Sequence, residues 1–131
     1  MLPAPAPPTQ LAGTWSRTVT SADLKKCKSG CPPAGLWRIN ISRKGWSPRD
    51  PQGYVGLFDV AYRSATSLQM RPTIEYPPYP NSNNGGWCDD TDPLATYAVT
   101  VNASDTTMAL TASDPCGNRA AILEGTWTRT S

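Results

Sequence analysis

The chain has 131 residues, of which 17% are charged and 38% are hydrophobic, and its formal net charge is +2. This length suits one domain, the small net charge argues against nucleic-acid binding, and no apolar run approaches the ~20 residues that a helix needs to span a bilayer. The 14 Pro and 10 Gly disfavour a helical fold, while the 5 Trp and 5 Tyr exceed what a disordered chain carries.

Residues 1–10 form a Pro-rich arm without periodicity, which we expect to be extended or unstructured. The rest, residues 11–131, is predicted to be one domain, because short alternating runs of apolar and polar residues follow each other along it. Seven such runs lie at 13–19, 37–42, 53–62, 68–75, 96–102, 106–112 and 125–130. Alternation with a period of two predicts antiparallel strands with one face in water. We expect an eighth strand in 44–50 or within the loop 76–93.

Four cysteines in so short a chain indicate an exported, disulfide-bonded domain, and no pair has the two-residue spacing of a zinc knuckle. We predict the bridges Cys27–Cys31 and Cys88–Cys116. The short spacer between Cys27 and Cys31 contains a glycine and lets the chain fold back. The main alternative joins Cys27 to Cys88 and would tie the two long loops over one barrel mouth.

The first ten residues lack the basic and apolar regions of a signal peptide but are typical of the Pro/Ala-rich spacer behind a cleaved one. We therefore expect a protein that is secreted, or held at the cell surface or in the periplasm, from which the signal peptide has been removed.

An internal repeat links the two ends of the domain. Leu11–Thr18 recurs as Leu123–Thr130 with six of eight positions identical. In an up-and-down barrel the first and last strands are neighbours, so a shared motif fits strands that close the barrel. We expect both tryptophans of the repeat near one barrel end, each stacked against an arginine. The residues given this structural role are Trp15, Arg17, Arg119, Trp127 and Arg129.

The Gly-x-Trp of the first strand, the arginine of the last strand and the segment from Asp114 to Arg129 resemble the calycin superfamily of lipocalin-like β-barrels. The closing segment is similar to that of small exported actinobacterial lipocalin-like domains. The resemblance implies an eight-stranded barrel with a small apolar cavity open at one end. Together with the seven runs counted above, it predicts an all-β, antiparallel up-and-down barrel of seven to eight strands.

The chain has no histidine, which removes Ser-His-Asp and Cys-His catalysis and histidine metal sites. Asp59 lies between Phe58 and Val60 and would indicate a functional acid if it pointed inward. It is instead expected to point outward near an arginine, because it shares the opposite face with Val55, Leu57 and Arg63. The acidic run 89–92 lacks the pattern of a calcium loop and is expected to be a solvated turn. We therefore predict no catalytic residue, no metal and no cofactor, and an enzyme is disfavoured.

Inward-facing aromatic and aliphatic side chains remain as candidates for binding. The sequence leaves open whether they fill the core or line a pocket of roughly a few hundred Å³. The predicted lining residues are Trp37, Ile39, Tyr54, Phe58, Val60, Tyr62, Met70, Tyr97, Val99 and Met108. Two further tryptophans, Trp46 and Trp87, lie in turn-like contexts and would cover or plug a barrel end.

The predicted function is non-catalytic binding of a small apolar or amphipathic molecule inside the barrel, with tyrosine hydroxyls or Arg38 and Arg43 fixing its orientation. One alternative is an exported interaction module, such as a protease inhibitor on a barrel scaffold, that binds a protein through the Pro-rich arm or the loop Tyr76–Pro80. A second is a small barrel enzyme of the cyclase or isomerase type. We expect a monomer that binds no nucleic acid and has no membrane span.

Overall fold

A computed structural model describes residues 8–27, 31–53, 55–75 and 95–130, without the side chains of Asp59 and of residues 71–75. Its strands form one closed antiparallel barrel in which each strand pairs with its neighbours in sequence and the last pairs with the first. The strands are β1 Gly13–Val19, β2 Gly35–Ser42, β3 Gly45–Arg49, β4 Leu57–Ser64, β5 Ser67–Glu75, β6 Ala95–Val101, β7 Thr107–Ser113 and β8 Gly125–Arg129. A 3₁₀ helix, Asp23–Lys26, follows β1, and the helix α1, Gly117–Leu123, precedes β8.

The predicted all-β, up-and-down architecture is confirmed, and it is compatible with a calycin-like fold. Each of the seven predicted runs overlaps a strand, and the eighth strand is β3, within 44–50. A single-residue bridge joins Val55 to Arg49. Counting that bridge, nine extended segments are paired within the described residues, one more than the upper end of our prediction. Among these residues, no helix is long and apolar enough to cross a membrane.

The sequence of β3 does not alternate clearly between apolar and polar residues, because Gly45 and Pro48 interrupt the pattern. Pro48 has no N–H, and β3 pairs with β4 at only one position, Trp46 opposite Phe58. A hydrogen bond from the Trp46 indole N–H to the Tyr62 hydroxyl (3.0 Å) also links the two strands. Gly45 is required here because a Cβ at this position would lie 2.2 Å from the Phe58 carbonyl oxygen.

The barrel closes between β1 and β8, where only two residue pairs are in register, Trp15 with Arg129 and Ser16 with Thr128. Side chains reinforce this short seam. The Arg129 guanidinium lies 4.2 Å from the Trp15 ring centroid and donates to the carbonyl oxygens of Ala12 (2.7 Å) and Gln10. Thus the last strand holds the chain segment that precedes the first strand.

The first copy of the repeat makes the reciprocal contact. Arg17 of β1 donates to the Ile122 carbonyl oxygen (2.7 Å) at the end of α1, the helix that precedes β8. Gly125 leaves room for this side chain, because a Cβ there would lie 2.4 Å from the Arg17 Nε atom. Arg17 also forms an ion pair with Asp23 (2.9 Å). Each arginine of the repeat therefore binds the segment in front of the other strand.

The two tryptophans of the repeat are diagonal neighbours across the β1–β8 seam, because Trp15 is in register with Arg129, two residues after Trp127. The indole N–H of Trp15 donates to the Leu11 carbonyl oxygen (2.9 Å), and that of Trp127 donates to the Leu123 carbonyl oxygen (2.9 Å). Because β1 and β8 are antiparallel, their starting residues lie at opposite ends. Within the described residues only Trp15 has a guanidinium over its ring.

The predicted bridge between Cys27 and Cys31 is formed, with 5.7 Å between the Cα atoms, which excludes the alternative pairing of Cys27 with Cys88. Cys116 is also disulfide-bonded. Its predicted partner, Cys88, lies outside the described residues.

Replacement of Trp15 by Ala tests the closure of the barrel. Trp15 is fully buried, and truncating such a side chain leaves a cavity, so we expect the free energy of unfolding to fall by about 3–5 kcal/mol. Chemical denaturation measures the loss. Thr18→Ala, an exposed change on the same strand, is the matched control and should have little effect. An unaltered denaturation midpoint in the Trp15 variant would contradict this account of the closure.

Candidate functional site

The predicted cavity-lining residues that the structure describes face the barrel interior. Tyr62 is half-buried, and Tyr54 lies outside the described residues. The remaining eight are buried, namely Trp37, Ile39, Phe58, Val60, Met70, Tyr97, Val99 and Met108. The alternation of the strands thus identified their orientation, and their role in binding a ligand stays a prediction.

The centre of the barrel is occupied by large side chains that water does not reach. The largest of them, each with less than 2% of its surface exposed, include Trp15, Trp37, Trp46, Trp127 and Tyr97. A side chain with no water-accessible surface borders no space that a water molecule could fill. An eight-stranded barrel is just wide enough for side chains to fill it. These residues therefore form a packed core.

Described segments also cover both ends of the barrel. At one end the turn before β1 buries Leu11, and at the other end α1 buries Ile122 and Leu123. Residues 8–10 of the predicted Pro-rich arm take part in the first of these turns, through a bond from the Leu11 N–H to the Pro8 carbonyl oxygen (2.9 Å). The open mouth implied by the family resemblance stays a prediction, because residues 76–94 lie outside the described part of the chain.

A charged network is sealed beside α1. The side chains of Asp114 and Arg119 have no exposed surface, and the guanidinium donates twice to the carboxylate, at 2.7 and 2.9 Å. The Tyr97 hydroxyl donates to the same carboxylate (2.6 Å), as does the backbone N–H of Cys116 (2.9 Å). Burial, together with the negative charge of Asp114, raises the pKa of Tyr97 well above its usual value.

This network is closed to solvent and its charges are paired. A buried carboxylate needs a paired cation and hydrogen bonds to offset the loss of its hydration, and Asp114 has both. Arg119 contributes to the fold through this ion pair, and its contact with a tryptophan stays a prediction.

The depression in the outer surface of β1, β2 and β3 is the candidate site. It has a volume of about 290 Å³ and is lined by Thr14, Arg38, Asn40, Ser47, Arg49 and Val55. The strand register arranges them in two parallel rows. One row is Thr14, Asn40 and Ser47, and the other is Arg38, Arg49 and Val55. We call this feature the outer depression.

The sequence alone did not group these residues. Alternation places them on the outward faces of their strands, but β3 had no clear strand pattern, so Ser47 and Arg49 could not be aligned with β2. The sequence predicts Arg38 and Arg43 as groups that orient a ligand at a barrel end. In the structure, Arg43 lies in the exposed turn between β2 and β3.

Other candidates from the sequence fall outside the described residues. They are the acidic run 89–92, the loop Tyr76–Pro80, Trp87 and the side chain of Asp59. Within the part of the chain that the structure does describe, no group of three or more His, Cys, Asp or Glu residues could hold a metal ion.

No family model matches this chain, and the comparisons with curated proteins and with solved structures found no match either.

Replacement of Asp114 by Asn tests the sealed network. The substitution keeps the shape but removes the carboxylate charge that lies against the buried Arg119 guanidinium, so we expect a loss of about 3–5 kcal/mol in the free energy of unfolding. The matched control is Asp105→Asn, which makes the same chemical change in an exposed turn and should alter stability by about 0.5 kcal/mol or less. Equal stability of the two variants, measured by urea denaturation, would overturn this assignment.

Proposed function

We propose that this domain is a non-catalytic binding module that recognises its ligand at the outer depression. The observation that carries the proposal is the packed barrel interior, because large aromatic side chains occupy the space that a ligand would need. A molecule entering the barrel would have to displace them, and each carries a large hydrophobic stabilisation. Binding at the outer depression requires no such rearrangement.

The outer depression combines features that favour recognition. It offers charged groups, a hydroxyl-bearing row and an apolar edge at Val55, which is 47% exposed. Its position on three hydrogen-bonded strands keeps these groups in a fixed arrangement, since strands hold side chains more precisely than loops do. Leu36, 45% exposed, lies two residues from Arg38 on the same face of β2.

Two observations support the non-catalytic part of the proposal: a residue type that the sequence lacks and a group of titratable side chains that is closed to solvent. The chain has no histidine to act as a base near neutral pH. The one buried network of titratable groups, within the described residues, is closed to solvent around Asp114. We further propose that the domain is an exported, lipocalin-like monomer, supported by the barrel and by the Cys27–Cys31 bridge.

A second candidate is the binding of a small apolar molecule inside the barrel. It is favoured by the partial exposure of Tyr62, an inward-facing residue of β4 whose hydroxyl reaches the Trp46 indole. This candidate requires the aromatic core to open beside β4, where the pairing of β3 with β4 is weakest.

The two candidates differ in where small molecules bind. We expect a panel of sugars, small carboxylates and phosphate esters to include binders that shift the amide NMR signals of residues 14, 38, 40, 47, 49 and 55. The substitution Thr14→Trp should abolish this binding by filling the outer depression. Thr18→Trp adds the same side chain on the same face of β1, outside the depression lining, and should leave binding intact.

Binding of the apolar dye Nile red tests the second candidate, a ligand inside the barrel. If Nile red binds stoichiometrically and shifts the signals of Phe58, Tyr62 and Tyr97, while no member of the panel affects the outer depression, the ligand lies inside the barrel and the proposal is wrong.

A further inference from the structure

The outer depression contains two arginines that lie directly opposite each other. Arg38 of β2 and Arg49 of β3 are register partners, and both are exposed. Residues in such positions have Cβ atoms about 5 Å apart, and like charges there destabilise a sheet. Within the described residues neither guanidinium has an ion-pair partner. The barrel therefore holds two uncompensated positive charges side by side.

Other arginines of the barrel have their charge or their donors engaged. Arg17 and Arg119 pair with carboxylates, Arg63 donates to the Gln69 side-chain oxygen, and Arg129 donates to carbonyl oxygens. The opposed pair in the outer depression differs from these four in having its donors turned to solvent. An anion placed between the two guanidiniums would relieve their repulsion and use those donors.

The row beside the two arginines supplies neutral hydrogen-bonding groups. The Asn40 side-chain N–H donates to the Thr14 hydroxyl oxygen (3.1 Å), and the Ser47 hydroxyl donates to the Gly56 carbonyl oxygen (2.9 Å). These bonds orient the side chains, and each side chain can still form a further hydrogen bond. The Thr14 hydroxyl can donate its proton, and the Asn40 side-chain oxygen and the Ser47 hydroxyl oxygen can accept. Such a row suits the hydroxyl groups of a ligand.

The volume of the outer depression, about 290 Å³, lies at the lower end of the range of small-molecule sites, about 300–1,000 Å³. It exceeds what one inorganic anion needs, so the ligand has a carbon frame beside its anionic group. The two oxygens of a carboxylate can both accept hydrogen bonds from a single guanidinium. A tetrahedral oxyanion has three terminal oxygens, which can accept from both guanidiniums.

We propose that the outer depression binds the phosphate or sulfate monoester of a small hydroxylated molecule of sugar size. The ester group lies between Arg38 and Arg49, and the hydroxyls of the frame contact the row of Thr14, Asn40 and Ser47. This inference rests on the proposed function, since it names the chemical class of ligand at that same site.

Titration of the labelled protein with glucose 6-phosphate at low ionic strength tests the inference. We expect saturable binding that shifts the amide signals of the outer depression. Arg38→Gln and Arg49→Gln should each weaken binding at least about tenfold, because each removes a charged hydrogen bond. Arg43→Gln is the matched control: it makes the same change in charge in the exposed β2–β3 turn and should leave the affinity unchanged.

Folding of the variants is checked by their melting temperatures. Removing one of two opposed like charges should leave the melting temperature of Arg38→Gln and Arg49→Gln equal to or above that of the parent protein. Weakened binding in these variants therefore reports on the ligand contact and not on unfolding.

Three further probes define the ligand chemistry. Glucose 6-sulfate and glucose 6-phosphate distinguish the two esters: lowering the pH from 7.5 to 5 should weaken the phosphate, whose second pKa is about 6, and not the sulfate. Glucuronate, a carboxylate, should bind more weakly than either ester, and glucose should not bind detectably.

Four results would overturn the inference. Two of them are no saturable binding of either ester at millimolar concentration and equal weakening by Arg43→Gln. If glucose binds the outer depression as tightly as the esters, the inference fails while the proposed function stands. If the esters shift only signals of the barrel interior, both fail.

Discussion

The reciprocal contact between the first and last strands is the constraint on which this barrel depends. The β1–β8 seam has two register pairs, and the repeated Gly-Thr-Trp-x-Arg motif adds side-chain contacts across it. In each copy the tryptophan fills the core while its indole N–H holds the preceding segment. The arginine then crosses the seam to bind the segment that precedes the other strand.

Closing the barrel in this way determines where a ligand can bind. Two of the largest core side chains, Trp15 and Trp127, also lie at the closing seam. The segments before β1 and β8 are drawn over opposite ends, which buries Leu11 and Leu123. Specific contacts are then left to the outward residues of the strands. On this outer surface the pairing register of β1, β2 and β3 places Arg38 and Arg49 beside the row of Thr14, Asn40 and Ser47. The fold class alone does not determine this arrangement.

Local patterns in the sequence predicted most of the fold and little of the candidate site. Period-two alternation located seven strands, and the repeat identified β1 and β8 as neighbours, because both depend on short-range order. Pro48 interrupts the alternation by which β3 could have been predicted. The alignment of Arg49 with Arg38 depends on the pairing of β2 with β3, which no local pattern encodes. The indoles of Trp15 and Trp127 hold the segments before two antiparallel strands, at opposite ends of the seam, which the repeat alone did not reveal.

The central claim is that the barrel interior is packed and that recognition takes place outside it. Xenon enters empty apolar cavities in protein crystals and is detected by its scattering, so xenon pressurisation tests this claim most directly. The account predicts no xenon among Trp37, Tyr97 and Met108. A well-occupied xenon atom in contact with these three side chains would contradict it and would return the ligand to the inside of the barrel.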